Sequence, residues 1–530
     1  MGEGGYPFVG DEGDRSGDGM PKYDLILKGG RILDPASGTD GVRDVAVRRG
    51  RIEAVAPELD PALASDVINL NALGGPSRGP LWVMPGMIDC HIHVAGEFPG
   101  ISDCSPGLRM AVEAGATTAL DMGGTMDRLI DGVRRRGCGL TVGSLLMLKP
   151  GATLPRDDPP PGVVRRVLGD ALKAGALGMK VWGGYYPFSP EVTADIIAAC
   201  NGEQVYAAYH VGTKQTGSRL DGLRELPSLL GANGRAHVAH VNAYCRGSVL
   251  PPADEIREAL SILQTLSGAA TGSEHTRRRQ AVSEVHLAIP NFTLGRCDAQ
   301  GRVMADVARN CLKLRGYEPS SDGVRRAIRD GYASAVADRD GRLELVPAEA
   351  GVAIFDELDT DVPLSFPVNR PDTAFQLTVA RNAAPPARAE PAEAPRRSPA
   401  RFTVDAVASD AGVFPRNVNI EQAMRIVRFG GLTPLEMAEK LSYNPSRMLG
   451  LVDKGRISPG ADADFTVVDP VAGRAVLGVS GGRAIMRDGA ALEKEGGRLL
   501  VTAAGVPAAK AAGLPYQAVD FSRSLLYRDP

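Results

Sequence analysis

Two histidines stand two positions apart in the run Asp89-Cys90-His91-Ile92-His93, which ends an apolar stretch that opens at Pro85-Gly86. In a β-strand, side chains at positions i and i+2 leave from the same face. Both imidazoles can therefore reach one metal ion. The alternative is a polar strand end with two hydrogen-bonded histidines. The apolar run that leads into the pair favours the metal site.

A lysine, Lys180, stands inside the apolar run GALGMKVWGG. Burying an ammonium group is unfavourable, so this side chain must find a partner, reach water at the strand tip or lose its proton. A neutral amine can take up carbon dioxide, and the resulting carbamate has two oxygen atoms that can bridge two metal ions. The run alone is compatible with a solvent-reaching lysine or with a carbamate.

Two more polar residues close apolar runs: His210 in VYAAYH and Asp410 in FTVDAVASD. Asp405 is a rival in the second run, but it lies deeper in the predicted strand. A carboxylate that faces a loop at the strand end is expected at position 410. We therefore interpret His210 and Asp410 as further candidate ligands.

The remaining histidines are assigned by position. His237 and His240 are three positions apart, so on a strand they face opposite sides. We select His240, nearer the strand end, as the ligand and interpret His237 as a packed residue or a partner of a ligand. We do not expect His275 and His286 to be ligands, although Glu284 or His286 could face a substrate.

The elements that must position these residues alternate along the middle of the chain. From about residue 85 to 451, short apolar runs alternate with helix-like stretches, which is the βαβ pattern. Eight strands suit a closed barrel, although an open parallel sheet has the same count. The candidate strands are MIDCHIHVA, ATTALDMGG, LTVGSLLML, LGMKVWGG, VYAAYHVG, AHVAHVNAY, SEVHLAIP and FTVDAVASD.

Polar and apolar residues alternate in the two flanks, which indicates antiparallel strands, and we expect the flanks to pair with each other. The N-terminal residues have few large apolar side chains, and a Pro/Ala-rich stretch precedes the last predicted strand. The predicted divisions are a flexible extension (1–21), the first half of a β-sandwich (22–84), a barrel (85–450) with a flexible insertion (383–400), the second half of the sandwich (451–500) and a tail (501–530).

The charge balance limits the kinds of partner. Sixty Lys and Arg residues stand against 63 Asp and Glu residues, a net charge of -3, which argues against a broad nucleic-acid or anionic-membrane surface. No stretch has the length and apolarity that a membrane span needs, and the N-terminus lacks a basic-then-apolar signal. We expect a cytoplasmic protein that acts on a small molecule.

Together these runs resemble the amidohydrolase superfamily, and within it the dihydroorotase, hydantoinase and N-acyl-D-amino-acid deacylase group. WVMPGMIDCHIHV is similar to the family's first-strand signature, and YDLILKGGRILDP and GRISPGADADFTVVDP resemble the halves of its small β-sandwich. HVNAYCRG is closer to formylmethanofuran dehydrogenase catalytic subunits and D-aminoacylases. The resemblance implies a (β/α)8 TIM barrel with a small β-sandwich domain built from both chain termini.

The resemblance also implies a centre of two divalent ions, with Zn2+ as the first candidate and Mn2+, Fe2+ or Ni2+ as alternatives, and a carbamate on Lys180 derived from carbon dioxide. Asp410 would also move the proton, and Tyr185 would stabilise the oxyanion. The implied ligands are His91, His93, Lys180, His210, His240 and Asp410. The candidate substrate-binding residues are Asn242, Arg246, Tyr186 and Arg416.

The implied reaction is metal-dependent hydrolysis of a non-peptide C–N bond in a cyclic amide or imide, or in an N-acyl or N-formyl amino acid. Three alternatives stay open: a cyclic amidine deaminase, a formyl-hydrolysing subunit of a larger complex, and a catalytically silent scaffold that would lack a ligand. We expect a homo-oligomer, either a dimer or a tetramer.

Overall fold

The computed structural model describes residues 21–74, 79–97, 101, 103–268, 279–339, 342–382, 402–492 and 496–528. Residues 1–20 of the predicted extension, the predicted insertion at 383–400, and His275 lie outside these ranges. No helix within the described ranges is long and apolar enough to cross a membrane.

The strands follow one another in groups along the chain. The first group is β1 (Tyr23–Asp34), β2 (Thr39–Arg48), β3 (Arg51–Ala56), β4 (Ala64–Asn69) and β5 (Trp82–Pro85). The second is β6 (Met87–His93), β7 (Ala116–Gly124), β8 (Thr141–Leu148), β9 (Gly178–Trp182), β10 (Tyr206–His210), β11 (Ala236–Val238) and β12 (Ala281–His286). The third is β13 (Asn291–Leu294), β14 (Ser334–Arg339), β15 (Arg342–Val346) and β16 (Pro363–Phe366). The last are β17 (Ala406–Ala408), β18 (Ala411–Gly412), β19 (Phe465–Asp469), β20 (Arg474–Ser480), β21 (Arg483–Arg487), β22 (Ala490–Ala491), β23 (Arg498–Val501) and β24 (Tyr516–Ala518).

Helices separate most of the central strands. They are α1 (Leu70–Gly74), α2 (Ser105–Glu113), α3 (Met126–Arg136), α4 (Val163–Ala174), α5 (Pro190–Gly202), α6 (Leu220–Leu230), α7 (Pro252–Leu266), α8 (Asp306–Lys313), α9 (Ser321–Arg329), α10 (Ala348–Glu357), α11 (Pro371–Val379), α12 (Asn419–Arg428), α13 (Pro434–Ala438), α14 (Asn444–Met448) and α15 (Val506–Ala512). A π-helical turn, Glu439–Tyr443, joins α13 to α14.

Parallel strands close into a barrel in the middle of the chain. Strands β6 to β12 pair in chain order, and β12 pairs with β17. After a break at Ser409-Asp410 the last strand continues as β18, which pairs back with β6. Every residue of β6 and β12 is buried, as expected for strands covered on both faces. The predicted (β/α)8 barrel is confirmed, and the alternative of an open sheet is wrong.

A separate sheet joins the two ends of the chain. Its order is β22-β21-β20-β19-β5-β1-β2-β3, with β4 parallel to β1. The junction is the antiparallel pair of β5 with β19, in which Trp82 faces Val468. The apolar residues that alternate along these strands form their own core, which includes Leu27, Val83 and Phe465. The predicted small β-domain built from both termini is confirmed.

The end of the chain differs from the predicted division. Strand β23 lies in the block expected in the sandwich, yet it pairs in parallel with barrel strand β8, with Leu499 opposite Val142. Beyond it, α15 and β24 fold against the barrel, and the Tyr527 hydroxyl donates to the carbonyl oxygen of Val205 at 2.6 Å. Apolar side chains such as Leu499 explain the docking because they are fully buried there.

The region between β12 and β17 contains a small folded unit that the sequence patterns did not reveal. Four antiparallel strands in the order β13-β16-β14-β15 pack with α8, α9 and α10 around their own core, which includes Ile328, Phe355 and Leu364. The strands have only four to six residues each, so their alternation is too short to recognise. This unit, hereafter the insertion sheet, covers the carboxyl end of the barrel.

Lys440 is buried near the start of the last barrel strand, away from the carboxyl end. Its Nζ donates to the carbonyl oxygen of Val404 at 2.5 Å and lies 4.0 Å from the centre of the Phe402 ring. Burial lowers the pKa of Lys440 to about 7, against the opposing effect of the Asp405 charge. The folded protein therefore accommodates this amine most easily in its neutral form.

Replacing Lys440 with Met should stabilise the fold, and the gain should depend on pH. An unfolded lysine has a pKa of about 10.4. Between about pH 7 and about pH 10 the unfolded chain holds a proton that the folded chain has lost, so the wild type gains stability as pH rises in this window. Lys440→Met also removes one hydrogen bond, which reduces the gain. With that loss included, the substitution should raise the free energy of unfolding by about 2 kcal/mol at about pH 6 and by less at about pH 9.

Urea unfolding at the two pH values measures both gains, with the exposed residue Lys173 replaced by Met as the control. A gain from Lys440→Met that is the same at both pH values would contradict the buried neutral amine.

Candidate metal centre

His91 and His93 end the first barrel strand, and both side chains are buried. Their Nε2 atoms lie 3.1 Å apart. Asp410 Oδ1 lies 3.4 Å from Nε2 of His91 and 3.0 Å from Nε2 of His93. One carboxylate and two imidazoles thus present ligand atoms within 4.8 Å of one another, an arrangement that can hold a divalent ion.

Two further histidines face the same space. His210 ends β10 and His240 follows β11, and their ring centres lie 4.4 Å apart at an interplanar angle of 83°. The ring of His240 stacks on that of His91 at 5.2 Å, and its Nε2 lies 4.0 Å from Asp410 Oδ2. His240 and Asp410 both adopt positive φ angles, 29° and 52°. Such backbone strain is concentrated at functional sites, where it directs side chains off the strand ends.

Lys180 lies in β9 and is fully buried. Its Nζ contacts the Met122 sulfur at 3.3 Å, and no carboxylate among the described residues lies within ion-pair distance. Burial lowers the pKa of Lys180 to about 8, although the charges of Glu284 and Asp410 act in the opposite direction. A substantial share of this amine is therefore neutral near physiological pH, which is the form that reacts with carbon dioxide.

The donor set suits divalent transition metals. Burial lowers the pKa of His91, His210 and His240 well below the usual range. These imidazoles are therefore neutral, as metal ligands must be. Within the described part of the chain, the buried Nδ1 atoms of His93, His210 and His240 have no hydrogen-bond partner. Neutral imidazoles with unused nitrogen atoms beside a carboxylate fit Zn2+ and similar ions.

Arg416 contacts Asp410 directly. Its Nη2 forms an ion pair with Asp410 Oδ2, and its Nε donates to the Asp410 carbonyl oxygen at 2.6 Å. Burial alone would raise the pKa of Asp410, but the charge of Arg416 and the neighbouring His91 and His240 hold it well below its usual range. A cavity at the carboxyl end of the barrel is lined by His93, His210, His240, Asp410 and Arg416, among others. The sequence predicted that Arg416 binds the substrate. In the structure Arg416 lines this cavity, but its side chain is paired with Asp410.

The chain is similar to known proteins in sequence. The amidohydrolase family profile matches residues 391–497, which contain the last barrel strand and much of the C-terminal half of the β-domain. The dihydroorotase of Pelotomaculum thermopropionicum is 25% identical over 466 residues, 84% of this chain and 89% of that protein. These matches support the assignment of the chain to the amidohydrolase superfamily.

Solved structures share the same fold. A D-aminoacylase, whose structure was described for the role of its binuclear metal centre, has a TM-score of 0.59 at 14% identity, over 90% of this chain and 99% of that chain. A chain of the formyltransferase/hydrolase complex from Methylorubrum extorquens with methylofuran has a TM-score of 0.57 at 16% identity, over 92% and 93% of the two chains. The barrel and β-domain of this chain thus have the fold of these solved structures.

Of the other predicted residues, two line the cavity above the histidines. The Tyr185 hydroxyl donates to the Phe292 carbonyl oxygen at 2.7 Å. Arg246 is held by the side-chain oxygen atoms of Asn291, at 3.0 Å, and Asn369, at 2.8 Å, which lie on or beside the insertion sheet. Arg246 forms no ion pair with any described residue, so its charge faces the cavity without a carboxylate partner.

Two predicted substrate-binding residues do not line this cavity. Asn242 is buried and bonded to His286, with its Nδ2 at 3.3 Å from the His286 Nε2 and its Oδ1 accepting from the His286 amide at 3.1 Å. Tyr186 packs beside Trp182 and under the Lys149 ammonium group. His286 itself lines the cavity. Asn242 lies in the short 3-10 helix Val241–Tyr244 and Tyr186 lies after β9, and the strand period does not encode the direction of either side chain.

Two carboxylates behind the ligands were not predicted as site residues. Glu284, which the sequence suggested could face a substrate, instead bonds to His91 at the far side of its ring. Asp121 accepts from the backbone amides of Val94 and Ala95 and from the Ser144 hydroxyl, which holds the loop after β6. Their only sequence signal is that an acidic residue interrupts an apolar strand, which requires a buried partner.

Replacing His93 with Asn should lower the affinity for divalent metal by more than about tenfold, because it removes one of three converging ligands. Metal content after dialysis and competition with a chelator measure the loss. His286→Asn, which alters another buried histidine of the cavity, should retain metal, and melting temperatures of both variants control for folding. Loss of metal from His286→Asn but not from His93→Asn would contradict the assignment.

Proposed function

We propose that this amidohydrolase is a metal-dependent hydrolase of carbon–nitrogen bonds other than peptide bonds, and that its substrate is a cyclic amide or imide or an N-acyl or N-formyl amino-acid-like molecule. The observation that carries the proposal is the convergence of His91, His93 and Asp410 at the carboxyl end of the barrel. The dihydroorotase relatives, at 25% identity over most of the chain, support the reaction class.

The proposed centre has six ligands. They are His91, His93, Lys180 as a carbamate, His210, His240 and Asp410. The imidazole-rich set makes Zn2+ the first candidate, with Mn2+, Fe2+ or Ni2+ as alternatives. Two such ions, when bound, lower the pKa of a water molecule and polarise the carbonyl group under attack.

Asp410 is the residue that moves the proton in this proposal. Its carboxylate would accept the proton of the attacking water and return it to the leaving nitrogen atom. The ion pair with Arg416 keeps the carboxylate ionised and the hydrogen bond from Arg416 Nε to the Asp410 carbonyl fixes the backbone. Arg416 thus orients the carboxylate while also lowering its proton affinity.

The walls of the cavity would select and orient the substrate. Trp182, Phe292 and Phe414 provide aromatic surface that excludes water from the reacting bond. Tyr185 would donate to the developing oxyanion after exchanging its bond to the Phe292 carbonyl, a contribution of about 3 kcal/mol for a well-placed donor. Arg246 offers an unpaired positive charge, which suits a substrate with a carboxylate.

A formyl-hydrolysing subunit of a larger complex is the second candidate. The structural likeness to a chain of the Methylorubrum formyltransferase/hydrolase complex covers 92% of this chain and 93% of that chain. This likeness favours an N-formyl compound as the substrate. Purification of the chain from its natural host with other subunits would support it. A cyclic amidine deaminase stays an alternative, and the homo-oligomer and the cytoplasmic location stay predictions.

A screen of hydantoins, dihydropyrimidines, lactams and N-acyl or N-formyl amino acids tests the function. With the best substrate, Asp410→Asn should lower kcat by about a thousandfold, because the amide cannot accept the proton. The matched control is Asp405→Asn, which alters a buried carboxylate of the same strand paired with Arg279. Full activity of Asp410→Asn would contradict the proton-transfer role, as would equal losses in the two variants with unchanged stability.

A further inference from the structure

Glu284 lies on barrel strand β12 and is fully buried among the metal-site strands. Its two carboxylate oxygen atoms have different partners. Oε1 lies 2.5 Å from Nδ1 of His91, on the first barrel strand. Oε2 accepts a hydrogen bond from the backbone amide of His240, after the sixth strand, at 2.5 Å. A single carboxylate therefore connects two candidate ligands that come from separate strands.

We propose that Glu284 is a positioning residue that orients His91 and His240 together, and so links two candidate ligands that come from separate strands. The inference rests on the proposed function only in taking these histidines as ligands. Glu284 is not one of the six proposed ligands, but it links two of them physically.

The effect on His91 follows from the two nitrogen atoms of its ring. A carboxylate at Nδ1 stabilises the tautomer that carries its proton there. Nε2 then keeps its lone pair, and it is this atom that lies 3.1 Å from Nε2 of His93 and 3.4 Å from Asp410 Oδ1. Glu284 thus sets both the tautomer and the rotation of the His91 ring.

The effect on His240 acts through the backbone. This residue has a φ of 29°, a conformation that needs surrounding contacts to maintain it. The hydrogen bond to Glu284 holds its amide, and the ring then faces His210 at 4.4 Å. Without that acceptor a buried N–H group would be unpaired, and the segment would relax toward an ordinary conformation.

Glu284 itself does not occupy the position of a ligand. It touches the side of His91 opposite to His93 and Asp410, and it does not line the cavity. The remaining neighbour of Oε1 is Nε2 of His237, at 3.8 Å, whose ring is held by the Tyr206 hydroxyl at 3.1 Å from Nδ1. The carboxylate is therefore enclosed by three imidazole-bearing residues.

Glu284→Gln tests the proposal because it preserves the shape of the side chain while replacing one carboxyl oxygen atom with an amide NH2 group. It should lower the affinity for the more tightly held divalent ion by about 10- to 100-fold, measured by chelator competition with Zn2+. The matched control is Glu255→Gln, another fully buried glutamate, which accepts from the amides of Gly247, Val249 and Leu250 away from the histidines. This control should keep wild-type affinity.

A second measurement does not depend on metal or on substrate. Nitrogen chemical shifts of the His91 ring in the metal-free wild type should show the tautomer protonated at Nδ1, and Glu284→Gln should shift the ring toward a mixture of tautomers. Wild-type metal affinity in Glu284→Gln, or a wild-type His91 protonated at Nε2, would overturn the inference. A wild type that binds no zinc would instead refute the proposed function, while the tautomer still tests Glu284.

Discussion

A hydrogen bond from the Asp410 amide to the His91 carbonyl oxygen, at 2.9 Å, joins the last barrel strand to the first. It forms at the break between β17 and β18, where Asp410 adopts a positive φ and its side chain turns from the strand toward His91 and His93. The contact that closes the barrel therefore also places the Asp410 carboxylate beside His91 and His93. Had the sheet stayed open, the first-strand histidines would have no carboxylate beside them.

Burial sets the electrostatics of the site. It favours neutral imidazoles and moves the pKa of Lys180 to about 8, and both effects prepare groups that bind metal or carbon dioxide. The buried carboxylates require charged or hydrogen-bonding partners in such surroundings. Asp410 is paired with Arg416, and Glu284 is held by His91 and the His240 amide. Bound metal ions would add positive charge near these buried carboxylates.

The residues that could be predicted were those whose position along a strand determines their direction. His91 and His93 share a face because they are two positions apart, and His240 was chosen over His237 because it lies nearer the end of the predicted strand. In the structure His237 instead contacts Tyr206 behind the ligands. The apolar runs also predicted alternating strands and helices in the middle of the chain and paired flanks, while the family resemblance decided between a closed barrel and an open sheet.

Contacts between distant segments could not be predicted in this way. Glu284 meets His91 across 193 residues of chain, and no local pattern carries that pairing. Asn242 lies in a short 3-10 helix, Val241–Tyr244, and Tyr186 lies outside any helix or strand, so neither a 2-residue nor a 3.6-residue period defines the direction of their side chains. The short strands of the insertion sheet were missed for a related reason, although that sheet supplies Asn291, which holds Arg246 in the cavity.

In the proposed centre the carboxyl end of the barrel would bind two divalent ions, with Lys180 as a carbamate among the ligands. The most direct test is the metal content of the full chain prepared with zinc and isotope-labelled bicarbonate, together with the carbon spectrum of the same sample. We expect two equivalents of metal and a carbamate signal that is absent from Lys180→Ala. Less than one equivalent of metal and an unmodified Lys180 would contradict it.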